Sequence, residues 1–209
     1  MEIDRNYSAP VGQIQIELKI KNSRFVGTAG PASSVESARE SIFFVRQKFS
    51  EASHHCYAFS IGYGASVTQG MSDDGEPSGT AGRPMLAVVS GAGIGDIFVV
   101  ASRYFGGTKL GTGGLVRAYS ETAKSAVDAL EIQVKYETTL LHITLPYEHY
   151  DICKARLLEL GSNIRDEIYS SNVRIEVNII SNKKDLIQNM VKDITSGLAQ
   201  IDLIRRDDS

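Results

Sequence analysis

Between Ile97 and Ser120 the chain carries Arg103, Lys109 and Arg117 and not one acidic residue. In that stretch Gly106, Gly107, Gly111, Gly113 and Gly114 leave main-chain N–H groups uncovered, and a helix starting there adds the positive end of its dipole. Such a combination binds anions, phosphate above all; the alternative is a glycine loop that only makes a tight strand-to-helix turn. A P-loop is excluded because no Gly-Lys-Ser/Thr occurs, and Gly111-x-Gly113 lacks the third glycine of the dinucleotide fingerprint. Tyr104 and Phe105 stand between Arg103 and the loop. Aromatic faces beside cations suit single-stranded nucleic acid, with bases on the rings and phosphates on the cations; the plainer alternative is one core ring and one lid.

A second set of polar residues lies upstream, in Ser72-Asp73-Asp74-Gly75-Glu76-Pro77-Ser78-Gly79-Thr80-Ala81-Gly82-Arg83. Asp73, Asp74 and Glu76, with His55, Ser78 and Thr80, could line a ligand loop and supply acid–base groups, although acidic loop residues more often cap turns and hold water. Ser78 lacks the G-x-S-x-G context of a hydrolase nucleophile. His54 and Cys56 share a strand face, and His149 and Cys153 sit four apart, but neither pair finds the third ligand that zinc requires. No metal or cofactor and no catalytic residue is therefore expected, and Arg83 joins the anion-binding set.

The whole chain of 209 residues has a net charge of -3, 42% hydrophobic residues, two Cys and no Trp. These values fit one or two folded domains and exclude disordered, collagenous and disulfide-scaffold classes. No apolar run reaches membrane-spanning length and the first residues do not resemble a signal peptide, so a cytoplasmic protein without membrane contact is expected. Fourteen of the 19 glycines fall between Gly62 and Gly114, which concentrates loop-forming capacity around the candidate residues.

The elements that must position them follow from periodicity. Residues 13–20 and 24–29 alternate as strands, Ser33 to Glu36 offers a capping box for a helix over 34–50, and 55–63 reads as a strand. Residues 65–83 show no apolar periodicity and read as one long loop. Pro84 suits the first turn of a helix ending near Gly91, 94–102 reads as a strand buried on both faces, and 113–130 as an amphipathic helix. After residue 135 the order strand 140–145, helix 148–160, strands 163–169 and 173–180, helix 184–196 and strand 199–204 is the βαββαβ unit of ferredoxin-like domains. The expected fold class is α+β, with domains at 1–134 and 135–209.

These stretches together resemble the IMPACT family, and within it the bacterial YigZ-type two-domain proteins. The carriers are Lys21-Asn22-Ser23-Arg24-Phe25, His54-His55-Cys56-Tyr57-Ala58, the 73–84 segment and, above all, Arg103 through Tyr119. Thr108 and Thr112 replace an aliphatic and a small apolar residue. The resemblance implies an N-terminal two-layer α/β domain like that of a ribosomal small-subunit protein and of domain four of elongation factor G, with a four-stranded sheet and helices on one face. It also implies a ferredoxin-like C-terminal domain similar to the last domain of that factor. Eukaryotic relatives act in translational control but carry a different additional domain. The expectation is a non-catalytic, translation-associated protein that binds RNA, the ribosome or a translation-related protein through Arg103, Tyr104, Lys109, Arg117, Arg83 and the glycine loop. The competing expectation is an enzyme or small-ligand protein holding a phosphorylated metabolite or nucleotide there, with His55, Asp74 or Glu76 as acid or base.

Overall fold

A computed structural model describes residues 6–64 and 66–204. The chain has mixed α+β structure and divides into two compact units, Tyr7–Lys135 and, among the described residues, mainly 136–204. No helix among these residues is long and apolar enough to cross a membrane.

The first unit is built on a five-stranded sheet in the order β2-β3-β6-β4-β5. Its strands are β2 (Ile14–Ile20), β3 (Ser23–Pro31), β4 (His54–Tyr63), β5 (Ser66–Ser72) and β6 (Ile97–Tyr104), and every pairing among them is antiparallel. A separate two-stranded sheet joins β1 (Asn6–Pro10) and β7 (Ile132–Tyr136). The central strand β6 is buried from Ile97 to Arg103, because its alternating side chains enter two different cores. Ile97, Val99 and Ala101 pack with Met85 of α2 (Gly82–Gly91) and Leu115, Ala118 and Tyr119 of α3 (Thr112–Asp128). Phe98 and Val100 pack with Ala38, Ile42 and Val45 of α1 (Val35–Lys48). The unit thus has helices on both faces of a five-stranded sheet, which corrects the expected two-layer arrangement with four strands. Two apolar faces on one strand demand two covering layers.

Two local expectations also change. The α1 capping box is formed by Ser34 and Ser37, not Ser33 and Glu36: the Ser34 hydroxyl accepts the Ser37 N–H at 3.1 Å and the Ser37 hydroxyl accepts the Ser34 N–H at 3.0 Å. The presumed long loop contains β5, so the irregular segment shrinks to 73–81. As the sheet's edge strand, β5 is mostly exposed, and its glycine lies over an aromatic ring: a Cβ on Gly70 would fall 2.2 Å from Phe59 Cζ.

The second unit runs β8 (Thr138–Leu145), α4 (Tyr147–Glu159), β9 (Asn163–Tyr169), β10 (Val173–Ile180), a 3-10 turn, α5 (Lys184–Ile194) and β11 (Gln200–Ile204). The strands form an antiparallel sheet in the order β11-β8-β10-β9. Alternate residues Leu141, Ile143 and Leu145 of β8 and Val173, Ile175, Val177 and Ile179 of β10 meet Cys153 and Leu157 of α4 and Ile187 and Val191 of α5.

Candidate functional site

Topology gathers the candidate residues at one end of the first unit's sheet. Strands β5 and β6 both run antiparallel to β4, so both finish beside its start, where His54 pairs with Arg103 and Tyr57 with Ser72. The loops leaving β5 and β6 therefore feed the N-termini of α2 and α3 at the same end. The turn at Lys21 and Asn22 lies there too, since Arg24 of β3 pairs with Tyr104.

The acidic loop is folded inward upon itself. The Asp73 carboxylate accepts the N–H groups of Gly79 at 2.8 Å, Ala81 at 2.9 Å and Gly82 at 2.8 Å. It thereby caps α2, whose own N-cap residue, Ala81, contributes no side-chain hydrogen bond. Burial alone would raise the Asp73 carboxyl; those three N–H donors, with the Arg83 charge, outweigh it and hold the group below the usual carboxylate range. Asp74 pairs with Arg46 of α1 at 2.5 Å and accepts the His55 N–H at 2.6 Å. Glu76 is buried and accepts from Arg103 Nη1 at 2.5 Å and from the Tyr119 hydroxyl at 2.8 Å.

The neighbouring groups are equally committed. His54 Nδ1 donates to the Asp74 carbonyl at 2.8 Å, leaving Nε2 4.0 Å from Glu76. The His55 ring sits 2.9 Å from the Ser102 hydroxyl, and burial lowers its pKa. The Thr80 hydroxyl donates to the Pro77 carbonyl at 2.6 Å. The Cys56 thiol donates to the Asp73 carbonyl at 3.0 Å, and burial pushes its pKa up to about 12. Burial likewise raises the Tyr119 phenol. Of the ligand-loop residues named from sequence, Ser78 is exposed, whereas His55, Asp73, Asp74, Glu76 and Thr80 hold the loop's shape. Among the described residues, no group of three or more His, Cys, Asp or Glu side chains is placed to hold a metal ion.

The cations divide into two kinds. Arg103 is not a surface cation: its side chain is 6% exposed, its charge is matched by Glu76, and its guanidinium lies 5.6 Å from the Phe25 ring centre and 5.5 Å from that of Phe105. Lys109, Arg117 and Arg83 are exposed. Arg117 Nε donates to the Gly113 carbonyl at 3.3 Å, tying it to the first turns of α3. That helix has Gly111, with φ of 73°, as its N-cap residue and no side-chain cap, so its first N–H groups are left to solvent or a ligand. Between α2 and α3 lies an open groove of about 510 Å³, lined by Arg83, Pro84, Val88, Val116 and Ser120 among others. Arg83 borders this groove, while Arg103 and Lys109 stand outside it. Gly106 packs against the β2–β3 turn so closely that a Cβ would meet Asn22 O at 1.7 Å, whereas Gly107, Gly111 and Gly113 face open space.

The two aromatic rings differ. Tyr104 is half-buried beneath the Arg24 guanidinium, 4.8 Å from its ring centre, while Phe105 is 51% exposed. Sequence reasoning weighed His54 only as a metal ligand with Cys56 and assigned no role to Arg46 or Tyr119, because the partners of all three lie 20 to 43 positions away.

Residues 21–127, which contain this site, match the Impact N-terminal domain. The chain is 33% identical over 199 residues to an IMPACT family member of Haemophilus influenzae, spanning 95% of this chain and 97% of that protein. It is 36% identical over 195 residues to IMPACT family member YigZ of Escherichia coli, spanning 92% and 95%. Identity to IMPACT family member YvyE of Bacillus subtilis is 31%, over 88% of this chain and 85% of that one. A solved structure described as a hypothetical protein superposes with a TM-score of 0.78 at 33% identity, covering 97% of this chain and 98% of its own. With the acidic loop, the cationic loop and the Glu76–Arg103 pair inside the matched segment, and relatives aligned over nearly the whole chain, the chain belongs to the IMPACT family.

Proposed function

We propose that this protein is a non-catalytic, translation-associated binding protein that engages RNA, free or within the ribosome, at the end of the first unit where α2 and α3 begin. The observation carrying this reading is the sorting of charge: Asp73, Asp74 and Glu76 turn inward onto N–H groups, Arg46 and Arg103, whereas Arg83, Lys109 and Arg117 remain exposed. An end that neutralises its own acids internally presents a positive field to a polyanion, even on a chain of net charge -3. The uncapped start of α3 adds N–H donors of the same sign. The strand order β11-β8-β10-β9 supports reading the second unit as ferredoxin-like. The antiparallel sheet with α2 and α3 on one face supports reading the first as a relative of elongation factor G domain four, with one more strand and a further helix on the opposite face. The acid–base role considered for His55, Asp74 and Glu76 finds no support in groups already spent on the fold.

The test is RNA binding followed by fluorescence anisotropy across salt concentrations. Three cations meeting the phosphates of a single strand give a slope of log K against log salt of about -2. Lys109→Glu, Arg117→Glu and Arg83→Glu should each weaken binding and flatten that slope. Absence of RNA binding at ~50 mM salt, where phosphate contacts are strong, overturns the proposal.

A further inference from the structure

The geometry points to Phe105 as a stacking platform for an unpaired nucleobase, which makes the partner at this end single-stranded. This rests on the cationic reading above and narrows it from any polyanion to a strand with unstacked bases. Phe105 is a ring with one face occupied and much of its area open. The buried Arg103 guanidinium lies 5.5 Å from the ring centre on the protein side, and the side chain remains 51% exposed. Arg103 cannot drift, being held by Glu76 at 2.5 Å, approached by Ser23 Oγ at 3.4 Å, and packed near Phe25. A guanidinium behind the ring draws on its π-electrons, and the ring's position is set before any ligand arrives.

The backbone beneath Phe105 is equally fixed. Gly106 N–H faces Ser23 Oγ at 3.4 Å, and the Gly106 Cα sits hard against the Asn22 carbonyl, where only glycine fits. One residue pair further on, Asn22 Nδ2 donates to Thr108 Oγ1 at 3.1 Å, stitching the loop to the β2–β3 turn. Beside that stitch stand two exposed cations, Lys21, next to Asn22, and Lys109, next to Thr108. An exposed, pre-positioned aromatic face on a segment that also carries exposed cations suits a single strand, whose bases stack while its phosphates meet the charges. A duplex offers the cations phosphates but gives the ring no free base face. Tyr104 offers less open ring, being partly buried where Phe105 is exposed.

The chain contains no tryptophan, so Phe105→Trp introduces a single tryptophan at the platform, excited selectively at about 295 nm, apart from the tyrosines. Titrating that variant with a 12-nucleotide oligo-uridine should quench its emission in step with binding, while a mixed-sequence 12-base-pair RNA duplex should leave it unchanged. In anisotropy with the labelled single strand, Phe105→Ala should weaken binding roughly 5- to 100-fold with the salt slope preserved, and Phe105→Tyr should bind like the parent protein. Equal affinity for single strand and duplex, or a Phe105→Ala variant that binds as the parent does, overturns the stacking proposal and leaves the cationic reading standing. Failure of both nucleic acids to bind overturns both. A thermal unfolding curve of Phe105→Ala that matches the parent's assigns the lost affinity to the ring; a large drop in its midpoint together with no quenching in Phe105→Trp counts against the platform.

Discussion

Arg103 Nη1 and Glu76 Oε1 lie 2.5 Å apart with side chains 6% and 4% exposed, joining the end of β6 to the middle of the acidic loop. Truncating one member of such a buried pair strands the other charge, which costs about 3–5 kcal/mol. Glu76→Leu should therefore lower unfolding free energy in urea by that order. The double variant Glu76→Leu with Arg103→Met should recover most of it, because two apolar side chains bury without a charge to solvate. What remains is the Tyr119 hydroxyl left without its acceptor, about 1–3 kcal/mol. A double variant less stable than Glu76→Leu would contradict a pair whose main cost is desolvation.

The Asp73 carboxylate supplies a pH dependence with a defined sign. Its folded pKa is depressed by the N–H donors of Gly79, Gly82 and Ala81 against the opposing pull of burial. A depressed folded value means the stabilisation is present in full above the unfolded pKa, about 3.9, and is lost as pH falls through the folded value. Asp73→Ala should cost about 0.5–2 kcal/mol near neutral pH, the usual range for losing a cap. The gap between variant and parent should close below about pH 4. Guanidinium unfolding at pH 7 and at successively lower pH values checks this; a gap that widens on acidification contradicts it.

What could be read from the residues alone follows burial. The β6 run and the apolar faces of α1 and α3 were legible because their alternate or helical positions enter a core. The same β6 run, with Phe98 and Val100 opposite Val99 and Ala101, already required two covering layers, and the two-layer expectation overlooked that. Strand β5 has no apolar period to show, because it is a mostly exposed edge strand. At the site, the type and position of the cations were legible, but not which of them remains exposed. Arg103 is neutralised by a residue 27 positions earlier, and pairing at that range leaves no periodic trace. Nor does a sequence tell which of two adjacent rings is exposed; here Tyr104 is partly buried and Phe105 is open to solvent.

Two glycines of the cationic loop should respond oppositely to the same substitution. A Cβ at Gly106 would lie 1.7 Å from Asn22 O, a main-chain atom of a tight turn that cannot yield without separating the loop from β3. Gly113 has nothing within 4 Å of its Cβ position and lies in the first turn of α3. Gly106→Ala should therefore be strongly destabilising, or fail to accumulate as folded protein. Gly113→Ala should be neutral or stabilise by about 0.4–1 kcal/mol through the reduced entropy of the unfolded chain. Thermal midpoints of the two variants side by side check the contrast, and a Gly106→Ala midpoint equal to the parent's contradicts the close approach.

The two thiols give a probe of opening in each unit. Cys56 and Cys153 are both wholly buried, and burial pushes the Cys56 thiol up to about 12. At pH 8 the Cys56 side chain stays in its unreactive thiol form even if a reagent could reach it. Ellman's reagent should therefore find no fast-reacting thiol in the native protein, and each cysteine should react at a rate set by the opening of its own unit. Sub-denaturing urea should accelerate the two reactions by amounts that reflect the stability of their separate cores. Glu76→Leu should speed the Cys56 reaction selectively, because Glu76 and Cys56 share the Tyr119 hydroxyl as a neighbour, while Cys153 belongs to the core formed by α4 and α5 on their own sheet. Prompt labelling of Cys56 in the unperturbed protein would mean that the 73–81 loop opens on its own. The inward commitment of its acids to Arg46 and Arg103 would then be too weak to hold the charge sorting on which the proposed binding surface depends.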